Sequence, residues 1–582
     1  MAVPKAEAWG IEPGYHDIAG DWRTPTPEAE AALLAAMGAA SAEPDAIRAP
    51  LVVTAGEQPA IPEPELLTED GALLELDGRL PAELPPGYHR LRDDRQERRL
   101  IVSPGRCCLP ERLRGFGLAV QLYSLLSGGS AGIGDLADLR VLADWAGTDL
   151  GAAFLLVNPL HAPLPGLPQE PSPYYPSSRR FLNPLYLRLD WLPESERQEL
   201  NAEGLVRRDR VHELKLPALE ARWETVRGRV EKELREFRSR RPGLREYAVF
   251  CALTETHGRP WREWPEELRH PASPAVARFA RGQSVRVHFH EWLQLILDRQ
   301  LQDAGAAPAG LVNDLAIGVN PDGADAWAWQ DQLAAGVSVG APPDPFNAEG
   351  QDWGLPPFDP WRLRGAAYEP FVQTLRAAFR HASGIRVDHI MGLFRLYWIP
   401  ADSGPAGGAY VRYPATDLLH ILGLESWRAG AYVVGEDLGT VQDEVREELR
   451  RRRILSYKLY WFERRDPAHY PEQALAALTT HDLPTLAGVW TGRDAMPEVQ
   501  ARLARLPGAD QDVLRAAYTA LAAAPCRLLA ATLEDVTGMA ERPNRPGTID
   551  EHPNWSLRLP LTLEELMADP RPHALAGILR RD

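Results

Sequence analysis

The chain is poor in cysteine and has no long apolar run. Its 582 residues include four cysteines, of which Cys107 and Cys108 are adjacent, and none has the spacing of a metal-ligand pair. We therefore expect free thiols in a reducing compartment and no zinc site. No stretch of about 18 uncharged apolar residues is present, so we expect no membrane span. The first residues lack the apolar run of a secretory leader, and we expect a cytoplasmic protein.

Positive charge is also scarce. The chain has 64 lysines and arginines against 81 acidic residues, which gives a net charge of -17. Such a balance argues against a nucleic acid or an anionic membrane as partner and favours a neutral or cationic ligand. Aromatic side chains are plentiful, with 17 tryptophans and 16 tyrosines. Most will lie in the core, but flat rings also suit stacking on sugars.

Three regions differ in their pattern of apolar, helix-forming and turn residues. Residues 1–45 are predicted to be a peripheral helical segment, because 27–40 is rich in alanine with glutamates near its start. Residues 46–110 contain short strand-like runs broken by proline and glycine, which indicates a small β-rich module. From residue 111 to 582, apolar runs alternate with helical stretches, which is typical of βα units around a parallel sheet.

The third region predicts an α/β fold, a (β/α)8 TIM barrel with inserted, mostly helical subdomains. Active sites of such barrels lie at the carboxyl ends of the strands. The connection from 159 to 309 is too long for a loop and predicts an inserted subdomain, and a second insertion is predicted at about 485–525. The predicted barrel strands are 117–121, 153–158, 310–314, 385–388, 432–436, 457–460, 476–480 and 527–532.

The stretch GIRVDHIMGLFRLYWIP, residues 384–400, contains the most informative charge pattern. In an extended strand, Arg386 and Asp388 point to the same face because they are two residues apart. A charge on the inner face of a buried strand is costly unless it is paired, and Arg386 is the expected partner of Asp388. For an isolated Arg-x-Asp, a structural ion pair is the alternative interpretation.

Acidic residues also end other predicted strands. Glu436 lies in VVGEDLG, Asp482 in TTHDLPT and Asp314 in LVNDLAIGV. Each alone is explained equally well by capping of the following helix. We keep that interpretation for three other aspartates, Asp402, Asp437 and Asp443.

Several inward carboxylates at one barrel end repel one another and destabilise the fold unless chemistry requires them. Two carboxylates about 5–5.5 Å apart perform retaining glycoside chemistry, one as nucleophile and one as acid/base. Arg386 would keep Asp388 ionised as the nucleophile. Glu436 would then be the protonated partner.

The three motifs GIRVDH, VVGEDLG and TTHDLPT, in this order, resemble the catalytic regions of the α-amylase clan, and more closely those of the amylomaltases, the 4-α-glucanotransferases. The similarity extends over about 115–555, and the extension before it resembles the longer bacterial amylomaltases. Other segments that resemble this family are NPLHAPLP and SPYYPSSRRFLNPLYL in 158–187, NDLAIGVNPDGADAW (313–327), VGAPPDPFNAEGQDWGLPPFDP (339–360), GGAYVRYP (407–414) and RPGTIDEHPNW (545–555).

The resemblance implies residue roles. Asp388 matches the nucleophile, Glu436 the general acid/base and Asp482 the transition-state stabiliser. The residues that match the substrate-binding set on the donor side are Tyr174, Asp314, Arg386 and His481, and His389 is a further candidate for substrate binding. Those that match the acceptor side, on a loop over the cleft, are Asp344, Gln351 and Trp353. His161 either lines the site or packs structurally.

The resemblance also implies the reaction. We expect a segment of an α-1,4-glucan to be transferred to the 4-hydroxyl of glucose or another maltodextrin by a retaining double displacement, with no cofactor and no metal. The partners are then maltodextrins and glucose, and neither nucleic acid nor membrane. The alternatives are an α-1,4-glucan hydrolase of the same clan and a non-catalytic glucan-binding protein, and the complete carboxylate trio argues against the latter.

Overall fold

The computed structural model describes residues 5–17, 20–41, 44, 49–94, 96–343, 347–439 and 441–581. The strands within these residues are, in chain order, β1 (Tyr15–His16), β2 (Trp22–Arg23), β3 (Leu51–Thr54), β4 (Glu65–Leu67), β5 (Leu73–Glu75), β6 (Gly87–Arg92), β7 (Glu97–Ser103), β8 (Gly115–Val120), β9 (Phe154–Val157), β10 (His161–Ala162), β11 (Ser178–Leu182), β12 (Gly310–Leu315), β13 (Val337–Ala341), β14 (Gln351–Leu355), β15 (Gly384–Val387), β16 (Arg395–Pro400), β17 (Ala409–Arg412), β18 (Tyr432–Gly435), β19 (Leu455–Leu459), β20 (Ala474–Ala477) and β21 (Leu528–Thr532).

The α-helices of the same residues are α1 (Pro27–Ala36), α2 (Leu136–Thr148), α3 (Glu194–Asn201), α4 (Arg208–Ser239), α5 (Leu244–His257), α6 (Pro274–Gly282), α7 (Ser284–Gly305), α8 (Ala324–Ala328), α9 (Pro360–Gly365), α10 (Glu369–Ala378), α11 (Ala415–Ala429), α12 (Asp443–Arg451), α13 (Leu486–Trp490), α14 (Pro497–Leu503), α15 (Val513–Ala522), α16 (Leu533–Thr537), α17 (Leu563–Ala568) and α18 (Pro570–Leu579). None of these helices combines the length and the apolar character needed to cross a membrane.

Eight strands close into a barrel in the order β8, β9, β12, β15, β18, β19, β20 and β21. The paired strands run parallel. Every residue of β9 (FLLV) and β20 (ALAA) is buried, as expected for parallel strands covered on both faces. The predicted barrel is confirmed, and each of the eight predicted strands overlaps an observed one.

The end of β20 differs from the prediction in a way that matters for the site. The strand was expected to reach residue 480 but ends at Ala477. The Thr479 hydroxyl donates to the Pro484 carbonyl oxygen at 2.9 Å, and the Leu483 amide donates to the Thr480 carbonyl oxygen at 3.2 Å. Side-chain bonds of threonine to nearby backbone compete with strand pairing. His481 therefore lies in a tight turn after the strand.

The chain divides into two compact units. We call them the large unit (Pro110–Ala328, His381–Val387, Leu455–Asp582) and the small unit (Met1–Leu109, Trp329–Arg380, Asp388–Ile454). In the large unit, the connection from β9 to β12 contains the hairpin β10–β11 and helices α3 to α7. The inserted, mostly helical subdomain that the sequence predicted is therefore present.

The insertion is bound to α2 of the large unit by ion pairs and contains a buried aromatic cluster. The Arg188 guanidinium donates to Asp135 at 2.6 Å and also bonds Asp138, the two residues that form the capping box of α2. The rings of Trp223 and Trp292, from α4 and α7, lie 5.6 Å apart. Such buried rings contribute large apolar area to the core.

The small unit contains a five-stranded sheet in the order β3-β7-β6-β4-β5. Leu66, Leu91 and Leu100 are completely buried in its core. The strand-like runs at 51–54, 72–76, 88–91 and 99–102 predict four of these strands, whereas β4 was not expected.

A second sheet of the small unit, β14-β13-β16-β17, was not predicted at all. Two pairs of consecutive strands, β13–β14 and β16–β17, are joined in it by the antiparallel pairing of β13 with β16, which lie more than fifty residues apart, and no local pattern predicts that pairing. The segment before β1 extends this sheet, because the Glu12 amide donates to the Tyr410 carbonyl oxygen at 2.9 Å and the Arg412 amide to that of Gly10 at 2.8 Å.

Candidate active site

The candidate carboxylates lie at or just after the carboxyl ends of barrel strands. Asp388 directly follows β15, Glu436 directly follows β18, and Asp482 lies in the turn after β20. Asp314 is the fifth residue of β12. This end of the strands is where barrel enzymes carry their catalytic side chains.

In the small unit, the Glu436 carboxyl is held by two backbone amides. Its Oε2 accepts from the His389 amide at 2.9 Å, and its Oε1 accepts from the Leu438 amide at 2.7 Å. The His389 nitrogen belongs to the peptide that links Asp388 to His389. Glu436 therefore lies beside the backbone of Asp388, and both its oxygens have a fixed donor.

The backbone of His389 adopts a left-handed conformation, with φ of 44°. Its ring lies edge-on to that of Trp353, with centroids 5.5 Å apart. Burial lowers the pKa of His389, although the neighbouring Asp388 carboxylate acts in the opposite direction. The imidazole is therefore neutral at physiological pH and offers one donor and one acceptor nitrogen.

Trp353 and Gln351 lie on the same face of β14, since they are two residues apart. The Trp353 indole nitrogen donates to Gln351 Oε1 at 3.2 Å, and both side chains are half-buried. Asp344, the third residue predicted for the acceptor side, lies outside the described residues.

In the large unit, Arg386 forms a buried ion pair with Asp314. One guanidinium nitrogen lies 2.8 Å from each carboxylate oxygen, and both residues are only 5% exposed. The two residues are register partners on β15 and β12. The spacing of the sequence suggested Asp388 as the partner of Arg386. The pairing of Arg386 with Asp314 was not predicted, because strand register is not visible in the sequence.

Tyr174 is fixed by the same carboxylate. Its hydroxyl donates to Asp314 Oδ2 at 2.6 Å, and its ring stacks on that of His481 with centroids 4.9 Å apart. The Trp555 ring lies 5.4 Å from Tyr174 and 5.3 Å from His481. The three rings thus form one aromatic cluster whose polar end is anchored to Asp314.

His481 and Asp482 form a second charged pair, with Nε2 and Oδ2 3.2 Å apart. Burial acts to lower the pKa of His481, but the Asp482 carboxylate outweighs it and the pKa is raised. Burial acts to raise the pKa of Asp482, but His481 and a hydrogen bond from Asn544 outweigh it and the pKa is lowered. Each group therefore favours the charged form of the other.

Four further residues in contact with the candidate site residues of the large unit were missed by sequence reasoning. Asn544 and Arg542 bind Asp482, Trp555 packs on Tyr174 and His481, and the Tyr457 ring lies 5.8 Å from the Arg386 guanidinium carbon. Trp555 was within a segment that resembles the amylomaltases, and Asn544 immediately precedes it. The position of Trp555 in that segment and of Asn544 next to it was the available signal, but neither residue is an acid or a base.

His161 contacts backbone. Its Nε2 accepts from the Ala316 amide at 3.4 Å. Burial, helped by Arg179, lowers the pKa of His161 to about 3, so its ring is neutral. This contact supports the packing interpretation of His161.

The comparisons with known proteins agree on one family. A family model described as 4-alpha-glucanotransferase matches residues 120–562. The 4-alpha-glucanotransferase of Mycobacterium tuberculosis is 42% identical over 87% of this chain and 82% of its own length, and that of Haemophilus influenzae is 32% identical over 82% and 81%. The crystal structure of amylomaltase from Corynebacterium glutamicum superposes with a TM-score of 0.87 at 30% identity, over 99% of both chains.

The chain belongs to the 4-alpha-glucanotransferase family. The predicted family, fold and enzyme class are therefore confirmed. The protein is a glucanotransferase of the amylomaltase type, and it acts on α-glucans.

Proposed function

We propose that this glucanotransferase moves a segment of an α-1,4-glucan to the 4-hydroxyl of glucose or a maltodextrin by a retaining double displacement. Asp388 is the nucleophile, Glu436 the general acid/base and Asp482 the transition-state stabiliser. The observation that carries the proposal is the bond from the Asp388–His389 peptide to Glu436, which brings the proposed nucleophile and acid/base residues together.

In the first step, an Asp388 oxygen attacks the anomeric carbon while Glu436 protonates the glycosidic oxygen that leaves. The product is a glucosyl ester on Asp388 and a shorter glucan with a free 4-hydroxyl. In the second step, Glu436 takes the proton of an acceptor 4-hydroxyl, whose oxygen attacks the anomeric carbon and releases Asp388. Two inversions retain the α configuration.

The aromatic cluster of Tyr174, His481 and Trp555 supports the binding of the donor sugar. The Tyr174 ring has an orientation fixed by Asp314, His481 and Trp555, and a pre-oriented ring suits stacking on a sugar face. The ion pair of Arg386 with Asp314 keeps both side chains ordered before substrate binds. Ordering these groups in advance removes a cost from the transition state.

The acceptor side is proposed to involve Gln351 and Trp353, together with Asp344, which lies outside the described residues. The indole–amide bond within β14 gives this strand a polar group and an aromatic face at neighbouring positions. An acceptor sugar held there would compete with water for the glucosyl ester.

The test is incubation of the purified protein with maltotriose alone, following both the product ladder and the number of reducing ends. A ladder of longer maltodextrins plus glucose at a constant number of reducing ends is expected. A rising number with only shorter products would mean that water is the main acceptor, and the hydrolase alternative would replace the proposal. Binding of maltotriose without any turnover would indicate a non-catalytic glucan-binding protein.

A further inference from the structure

We propose that Asn544 is a positioning residue that holds the Asp482 carboxylate in one orientation. The inference rests on the proposed role of Asp482 as transition-state stabiliser. Asn544 was absent from the residues that the sequence motifs suggested, and it acts here through Asp482 and not through the reacting atoms.

The geometry at Asp482 gives each carboxylate oxygen its own donor. Asn544 Nδ2 donates to Oδ1 at 2.7 Å, and His481 Nε2 lies 3.2 Å from Oδ2. With two donors from different directions, rotation about the bond to the carboxylate carbon is restrained. Without the amide donor, Oδ1 loses this partner and the carboxylate can turn about its contact with His481.

Asn544 is itself fixed to the turn that carries Asp482. Its backbone amide donates to the His481 carbonyl oxygen at 3.0 Å. The neighbouring Arg542 donates to the Asp482 carbonyl oxygen at 3.1 Å and is held by Asp494 at 3.0 Å. The segment is thus attached to both residues of the pair, so the Asn544 side chain has little freedom to leave Asp482.

The residue type matters because asparagine supplies a neutral N–H donor. An aspartate has the same shape, but it would place a second carboxylate against Asp482 and favour protonation of one of the two. Other titratable and charged groups that act on Asp482 or are acted on by it, within the described residues, are His481, Arg386, Arg542 and Tyr123.

The experiment compares Asn544→Asp and Asn544→Ala with the wild-type enzyme in the disproportionation of maltotriose. We expect kcat to fall roughly 10- to 100-fold, as for a lost hydrogen bond to a charged group, while KM changes by less than about threefold. In Asn544→Asp, the acid limb of the kcat profile moves to higher pH, because the new carboxylate raises the pKa of Asp482. Thermal unfolding of each variant is measured in parallel, and Asn544→Asp carries the test if Asn544→Ala does not fold.

Asn554 provides the matched control in the same segment. Its Oδ1 accepts from the Arg545 amide at 2.8 Å and its Nδ2 donates to the Thr548 carbonyl oxygen at 2.9 Å. Asn554→Asp disturbs the segment to a similar degree but should leave the acid limb at its wild-type position. The proposal is overturned if the two aspartate variants shift the profile equally, or if Asn544→Asp shifts nothing.

Failure of this inference is distinguishable from failure of the proposed function. Asp482→Asn tests the catalytic role itself and is expected to abolish turnover. If Asp482→Asn were inactive while both Asn544 variants behaved as wild type, only the positioning role would be lost. If Asp482→Asn kept wild-type activity, the proposed role of Asp482 as transition-state stabiliser would itself be wrong.

Discussion

At the residue scale, the proposed acid/base role of Glu436 requires a carboxyl group that is fixed in position and can transfer a proton. The two backbone donors fix its carboxyl group, and glutamine keeps the same shape without a transferable proton. We expect Glu436→Gln to lower kcat roughly 10²- to 10⁴-fold with the fold intact.

Initial rates with maltotriose and a thermal melt measure this effect. The control is Glu444→Gln, an exposed position in the first turn of α12. Near wild-type turnover of Glu436→Gln would show that another group handles the proton.

The His481–Asp482 pair predicts a pH-dependent contribution to stability. The pKa of His481 is raised in the folded state, so its stabilising effect is fully present below its ordinary pKa of about 6.5 and is lost as pH rises through the folded value. Denaturant unfolding of wild type and His481→Asn should therefore differ more at about pH 5.5 than at about pH 9. If the difference in the free energy of unfolding between the two proteins increased with pH, a charged His481 would not be the stabilising partner of Asp482.

Glu534 predicts the opposite trend. It follows β21, is 5% exposed, and burial with help from Asp535 raises its pKa to about 7 from 4.5. The folded protein must then lose a proton from an unfavourable site as pH rises, which destabilises it. Glu534→Gln should leave stability unchanged at about pH 4 and raise the free energy of unfolding by up to roughly 3 kcal/mol at about pH 8.

Urea unfolding at the two pH values tests this. Glu444→Gln, a substitution of the same type on the surface, should show no such pH-dependent gain. An equal effect of Glu534→Gln at both pH values would mean that the Glu534 carboxyl is not kept protonated by the fold.

At the element scale, the barrel strands could be predicted because each is a short apolar run between turn residues. β9 and β20 are recognisable from four consecutive apolar residues. The sheet β14-β13-β16-β17 could not be predicted, because β16 pairs with β13 across more than fifty residues. In addition, the residues of β16, RLYWIP, belong to the stretch 384–400, which was interpreted for its charged residues. Long-range antiparallel pairing leaves no local signature.

This missed sheet carries a predicted acceptor residue, and it therefore supports a test. Trp353 lies on β14 with its ring against that of His389. Replacing Trp353 by alanine would remove this apolar ring and leave the proposed catalytic carboxylates in the sequence. We expect Trp353→Ala to raise the share of hydrolysis over transfer severalfold, because water competes better when the acceptor is held less tightly. The ratio of new reducing ends to glucose released measures this share.

The matched control for Trp353→Ala is Glu349→Ala, an exposed position shortly before β14. It should leave the ratio of hydrolysis to transfer at the wild-type value. If the two variants gave the same ratio, Trp353 would have no role in holding the acceptor.

At the scale of the whole molecule, the sequence predicts the candidate carboxylates but not their hydrogen-bond partners. Asp388, Glu436 and Asp482 are proposed because acids recur at the ends of predicted strands and because their motifs resemble those of the amylomaltases. The pairing of Arg386 with Asp314 depends on barrel register, and the bond from Asn544 to Asp482 depends on a return of the chain after more than sixty residues. Both contacts join segments that are far apart in the sequence, and no local pattern predicts such a contact.

The net charge of -17 leads to a last prediction about the whole molecule. A neutral glucan gains nothing from that field, whereas an anionic one is repelled, and added salt screens the repulsion over a Debye length of about 10 Å at 0.1 M. With maltotriose, kcat/KM should change by less than about twofold between about 20 mM and about 500 mM NaCl. With the same trisaccharide oxidised to its carboxylic acid as acceptor, kcat/KM should rise with salt. A strong salt dependence for maltotriose itself would contradict binding of a neutral glucan by hydrogen bonds and ring stacking, and would indicate that an exposed ion pair controls access to the site.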